Sequence, residues 1–152
     1  MSLYRQAGRM TARTVALASA GALVVGLLVG FAAGRGTGDD ATLAGEVREL
    51  RTKLRPARAG VEQTAVEYGP SVRGGRVVAP TEYRAAQASV SRAREVVAGV
   101  RGDLRALGAE RAAAVERSVG ALAEAVDAKR ARAEVDRLAR AAEAAIAAAG
   151  GG

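Results

Sequence analysis

The sequence predicts an all-α chain: one N-terminal transmembrane helix, then an extracytoplasmic antiparallel four-helix bundle or hairpin array. Three observations predict it. Residues 14–34, TVALASAGALVVGLLVGFAAG, carry no charge, and about 20 such residues span a hydrocarbon core of roughly 30 Å. Beyond them, apolar residues recur every three or four positions in successive stretches, the period of a helix with one buried face. Gly and Pro separate those stretches, leaving connections short enough for antiparallel neighbours.

Residues 1–13 form a basic N-terminus in which Arg5, Arg9 and Arg13 have no acid among them. The apolar run 14–34 follows, and then Arg35, Asp39 and Asp40. The positive-inside rule places the N-terminus in the cytoplasm and everything after residue 34 outside, in a single-pass cell-membrane topology. The rival reading is a signal peptide cut near Ala32 and Ala33. The run exceeds the usual apolar region of about 7–15 residues, which favours an uncleaved signal anchor. Both readings put the rest of the chain beyond the cytoplasm. Ala22, Gly26, Gly30 and Gly34 recur every fourth residue in the span. Small residues at that spacing let two helix backbones approach closely, through a homodimer or on another membrane helix. Against that stands the general abundance of Gly and Ala in this chain.

Residues 35–39 read as a Gly-rich linker, 40–149 as the helical domain and 150–152 as a frayed tail. Asp39 and Asp40 suit a helix N-cap. Leu43, Val47, Leu50 and Leu54 form the seam of a first helix, with a kink or break predicted at Pro56, where the ring removes a donor and clashes with the preceding turn. Val61, Ala65 and Tyr68 continue on a similar face up to Gly69-Pro70. Gly74-Gly75 in SVRGGRVVAP reads as a tight turn or small hairpin. Pro80 and Glu82 suit the first turn of the next helix, which runs to about residue 107 on Tyr83, Ala86, Val90, Ala93, Val97, Val100, Leu104 and Leu107 and ends at Gly108. Helices over about 109–127 and 132–149 bury Val115, Val119, Leu122 and Val126, then Val135, Leu138, Ala142 and Ala145 or Ile146.

Composition removes whole classes of function. Cys and His are both absent, which excludes disulfides, zinc fingers, imidazole metal sites, thiol nucleophiles and Ser-His-Asp triads. No other nucleophile-plus-base arrangement occurs, so the chain is not read as an enzyme. The net charge is +7, but bases and acids are interspersed beyond residue 34 and aromatics are only 3% of the chain. That pattern argues against nucleic acid as a partner. The N-terminal arginines instead suit the anionic lipid of the inner leaflet. Arg130, Arg132, Arg137 and Arg140, set among Glu134, Asp136 and Glu143, read as a solvated helix face. Gly74-Gly75 between Arg73 and Arg76 lacks the strand–GxxxxGK[ST]–helix setting of a P-loop.

Hard oxygen donors are the only metal chemistry left, suited to Fe(III), Ca or Mg. Glu67-Tyr68 and Glu82-Tyr83 flank the Gly-Gly turn, and folding back across it would bring the two pairs together. One reading is a carboxylate/phenolate site for Fe(III), the sole cofactor candidate, in which ferric ion perturbs the tyrosine absorbance. The other is that Tyr68 and Tyr83 pack the core or loop while the glutamates lie at the surface or a helix start.

The same segment resembles a known motif. Glu67-Tyr68, Gly75-Arg76-Val77-Val78 and Glu82-Tyr83 are similar to the extracytoplasmic helical region attached to bacterial high-affinity iron permeases. The stretch 121–146 is similar to that region's closing helix pair, and together the likeness covers about residues 45–147. The permeases' transport motif, Arg-Glu-x-x-Glu in membrane helices, is not completed here. Arg48-Glu49 is followed by Leu50, Arg51 and Thr52, and Arg94-Glu95 by Val96, Val97 and Ala98. The resemblance therefore implies the permease's external domain on its own anchor, an accessory or binding protein partnered with a membrane iron-uptake component. The alternative is a dimerising, coiled-coil-like envelope spacer with no metal role.

Overall fold

A computed structural model describes residues 39–151. The transmembrane span predicted over 14–34, with its ladder of Ala22, Gly26, Gly30 and Gly34, lies outside the described residues, as do the basic N-terminus and most of the linker. Among the described residues no helix is long and apolar enough to cross a membrane.

The first helix, α1 (Asp39–Ser71), has 33 residues, roughly 50 Å at 1.5 Å per residue. Of the kink or break expected at Pro56, the break does not occur; both Pro56 and Pro70 lie inside the helix. The physical reason is where the ring sits. Pro56 and Thr52, whose carbonyl loses its partner, are both exposed residues, the side of the helix on which an orphan acceptor costs least. Leu54, Ala57 and Val61 are buried on either side of Pro56, and their packing offsets an interior-proline penalty of about 3 kcal/mol. The seam also starts later than predicted. Leu43 is 45% exposed, whereas Leu50 and Leu54 are fully buried.

After α1, β1 (Val72–Arg73) and β2 (Arg76–Val77) form a two-stranded antiparallel hairpin, Val72 opposite Val77 and Arg73 opposite Arg76. Gly74 and Gly75 have φ of +56° and +72°, the paired positive values a type I′ turn requires. Val78 and Ala79 then donate their amides to the Ser71 carbonyl at 2.8 and 3.3 Å. Helix α2 (Pro80–Gly99) opens with Pro at its start and Glu82 in its first turn, as predicted.

The predicted helix over 80–107 is divided at Val100 (φ −102°, ψ 11°) into α2 and α3 (Arg101–Leu107). Gly99 and Gly102 flank the joint, and both are poor helix formers. The rod still continues in hydrogen bonding, Val100 N–H to Val96 O at 3.1 Å and Leu104 N–H to Val100 O at 2.9 Å. Gly108, at φ +149°, is the whole link to α4 (Ala109–Asp127). Residues 128–131 then lead into α5 (Arg132–Ala149).

Cross-helix pairs give the topology. Lys53 meets Asp103 and Tyr68 meets Tyr83, so α1 and the α2–α3 rod are antiparallel. Gln87 meets Asp127 and Arg101 meets Glu116, which makes α2–α3 and α4 antiparallel. Arg51 reaches Gly150 while Tyr68 reaches Arg130, which closes the ring with α5 against α1. The result is a four-helix bundle in up-down-up-down order. Its core is mostly Ala and Val, with Leu50, Leu54 and Leu104 toward one end and Tyr68 and Tyr83 at the other. Small residues let the helices close in. A Cβ on Gly60 would stand 2.8 Å from Ser89 O and 3.2 Å from Ala93 Cβ.

Candidate functional site

The segment singled out by its motif forms the hairpin end of the bundle. The last turns of α1 carry Glu67 and Tyr68, and the first turn of α2 carries Glu82 and Tyr83. The hairpin between them reverses the chain within a few residues, so both tyrosines enter the core. Tyr68 is fully buried and Tyr83 nearly so. Their ring centroids lie 6.4 Å apart at an interplanar angle of 52°, within the range of favourable tilted aromatic pairs.

Both hydroxyls are spent on one turn. Tyr68 donates its O–H to Arg130 O at 2.6 Å. Tyr83 donates to Val126 O at 3.1 Å. That turn ends α4 in a Schellman arrangement: Arg130 N–H bonds to Ala125 O at 3.0 Å and Lys129 N–H to Val126 O at 3.1 Å. Lys129 holds the left-handed position, φ +52°, usually given to glycine. Its ammonium lies 5.8 Å from the Tyr83 ring centroid, a cation–π contact.

Burial pushes the Tyr68 phenol above the usual tyrosine range, with smaller contributions from Tyr83 and Glu134. Burial pushes the Tyr83 phenol up as well, followed by the negative charge of Asp127. Glu67 accepts a hydrogen bond from the Gln63 amide and is half-buried, as is Glu82.

As a donor set these four residues do not fit Fe(III). A phenolate ligand needs its proton removed, and here burial disfavours that and both hydroxyls are already donors to carbonyls. Among the described residues no group of three or more acidic side chains is arranged to hold a metal ion. The sequence brought the right tyrosines together, and the structure uses them as clamps. Their partners at 126–130 escaped the sequence reading because backbone carbonyls leave no residue-type signature. The one signal present, a helix end at Asp127 with no following glycine, is weak.

The distal end is tied similarly. Arg51 donates Nε–H to Gly150 O at 2.9 Å and a terminal N–H to Gly151 O at 2.8 Å. This satisfies carbonyls at the C-terminus of α5 and sets a cation at its negative pole. The buried hydroxyls of Thr64 and Ser71 bond back to Gly60 O and Tyr68 O. No buried side-chain polar atom among the described residues lacks a partner.

Each interior polar side chain among the described residues thus bonds to the bundle's own backbone. The iron permease-associated 4-helix bundle domain matches residues 44–151, and the chain belongs to that family. The match runs from residue 44, inside α1, through the end of α5 and links the chain to iron uptake. No curated protein and no solved structure matches the chain significantly.

Proposed function

We propose that this chain is a single-pass, membrane-anchored accessory of high-affinity iron uptake. In this reading residues 14–34 hold it in the cell membrane with its N-terminus in the cytoplasm. The bundle stands outside and works by contact with a multi-span uptake component, without catalysis or transport of its own. The ladder at Ala22, Gly26, Gly30 and Gly34 serves a membrane-helix contact. The observation that carries the reading is the family match over residues 44–151, all but the first turn of the bundle. The internal commitment of both tyrosine hydroxyls supports contact over coordination as the mode of action. Ferric ion is then the cargo of the partner.

The test is crosslinking in native membranes that contain a multi-span iron permease, paired with ferric uptake in cells with and without this chain. A specific crosslink and a loss of uptake on deletion are the expected results. No crosslink together with unchanged uptake overturns the proposal. Protease added to intact spheroplasts should digest the bundle, and protection there would overturn the topology.

A further inference from the structure

Arg48, Arg51, Arg55 and Arg58 follow one another along α1 at spacings of three, four and three residues, which sets them on one face of the helix. All four are exposed. Arg51 is engaged with Gly150 and Gly151. Arg48, Arg55 and Arg58 enter no ion pair among the described residues. Another flank of α1 differs: Lys53 is held by Glu49 at 2.8 Å and Asp103 at 2.9 Å. The fold thus neutralises a base on one side of this helix and leaves a row of like charges, which costs helix stability, on another.

Beside the row, α1 and α5 leave a groove of about 390 Å³. Arg51, Arg55 and Arg58 line it together with the buried Leu54 and Ile146 and the exposed Ala147. With Leu54 and Ile146 covered, the groove presents Ala147 and the arginine stems, and a basic row beside that narrow apolar strip fits a ligand that is acidic and apolar along one line.

We propose that this α1–α5 face is the docking surface for an acidic amphipathic helix of a partner protein. Its carboxylates fork onto Arg48, Arg55 and Arg58, and an apolar side chain lies over Ala147 and the aliphatic stems of Arg51 and Arg55. The guanidinium fork matches a carboxylate with two parallel hydrogen bonds. The row is a line of roughly 15 Å along the axis, and a partner helix repeats its carboxylates on the same three-four period. A bilayer surface spreads its charge over a plane, so a ladder along an interhelical groove suits a rod better. The inference rests on the contact reading above and names the surface and the partner's chemistry.

The test uses the full chain in phosphatidylcholine nanodiscs. The probe is a fluorescent synthetic helix with Glu at three-four-three spacing beside a Leu row, and its Glu→Gln counterpart is the control. The acidic helix should bind, more weakly as salt rises, and Arg55→Glu with Arg58→Glu should weaken binding at least tenfold. Arg92→Glu, on a different face, should leave binding unchanged. Arg55→Gln with Arg58→Gln, which avoids new negative charge, should show a smaller loss in the same direction, with circular dichroism confirming intact helices. Equal binding of the Gln helix, or no effect of either double variant, overturns the proposal. So does stripe-dependent capture of phosphatidylglycerol vesicles without peptide binding. Stripe-dependent peptide binding with no crosslink to a permease and unchanged ferric uptake keeps this surface and overturns the iron-uptake reading. A crosslink without peptide binding does the reverse.

Discussion

Tyr68 and Tyr83, from opposite sides of the Gly-Gly hairpin, donate their hydroxyls to the same interhelical turn, at Arg130 O and Val126 O. The pair thereby fastens α1 and α2 to the α4–α5 connection, so the end of the bundle that carries the family motif is held by two phenols. Removing the Tyr68 hydroxyl takes the donor from the Arg130 carbonyl, at a part-buried bond, and removing that of Tyr83 leaves the Val126 carbonyl with the Lys129 amide alone. Tyr68→Phe should cost about 1–2 kcal/mol in urea unfolding, and Tyr83→Phe about 1 kcal/mol. The double variant should depart from additivity by at least about 0.5 kcal/mol, because both bonds restrain one turn. Strict additivity would show that the turn is rigid without them.

The raised phenol pKa values make stability depend on pH at the alkaline end. The folded state keeps these protons to a higher pH than the unfolded chain, whose tyrosines titrate near pH 10. Above that pH the native state binds more protons than the unfolded state, so stability falls as pH rises; below it the contribution is complete. Lys53, whose pKa is raised by hydrogen bonds to Glu49 and Asp103, acts in the same direction. Urea midpoints should therefore be flat from about pH 7 to 9 and decline beyond about pH 10. Tyr68→Phe with Tyr83→Phe should lessen that decline. An unchanged slope in the double variant would assign the effect elsewhere.

Lys129 occupies a left-handed position at φ +52°. A side chain there costs about 1 kcal/mol relative to glycine, and the cation–π contact with Tyr83 returns about half of that at a partly exposed site. Lys129→Gly should accordingly raise stability by a few tenths of a kcal/mol. Lys129→Val, β-branched and without the ammonium, should lower it by more than 1 kcal/mol, roughly. A loss with Gly would mean that the ammonium contact outweighs the backbone strain.

Two helix-interior glycines should respond with opposite signs to the same change. Nothing stands within 4 Å of a Cβ placed on Gly120, so Gly120→Ala should stabilise α4 by up to about 1 kcal/mol. On Gly60 the added Cβ would meet the Ser89 carbonyl oxygen at 2.8 Å, and backbone does not yield as a side chain does. Gly60→Ala should therefore destabilise despite its better helix propensity, by about 1–3 kcal/mol. Thermal melts of the two variants check the pair, and a gain at Gly60 would mean that α1 and α2 can separate there at little cost.

Much of the fold was legible in the sequence, for a local reason. Val115, Val119, Leu122 and Val126 repeat at the spacing that puts them on one side of a helix, and all four are buried. Gly74-Gly75 and Gly108 mark turns because only glycine enters their backbone region without strain. The break expected as one outcome at Pro56 does not form, for the complementary reason. The ring's penalty is local, but it falls on the exposed side of the helix and is offset by packing on the other. The candidate site was half legible. The two acid-Tyr pairs flank a turn and converge, yet what the phenols do depends on which acceptors lie opposite them.

By itself the sequence determined most of the helices, much of their buried faces and the hairpin, since period and glycine placement act over a few residues. Only the tertiary structure decided that Tyr68 would find a carbonyl 62 positions away and Arg51 one 99 positions away. Those partners are backbone atoms common to every residue, and the packing of four helices into a ring selects among them.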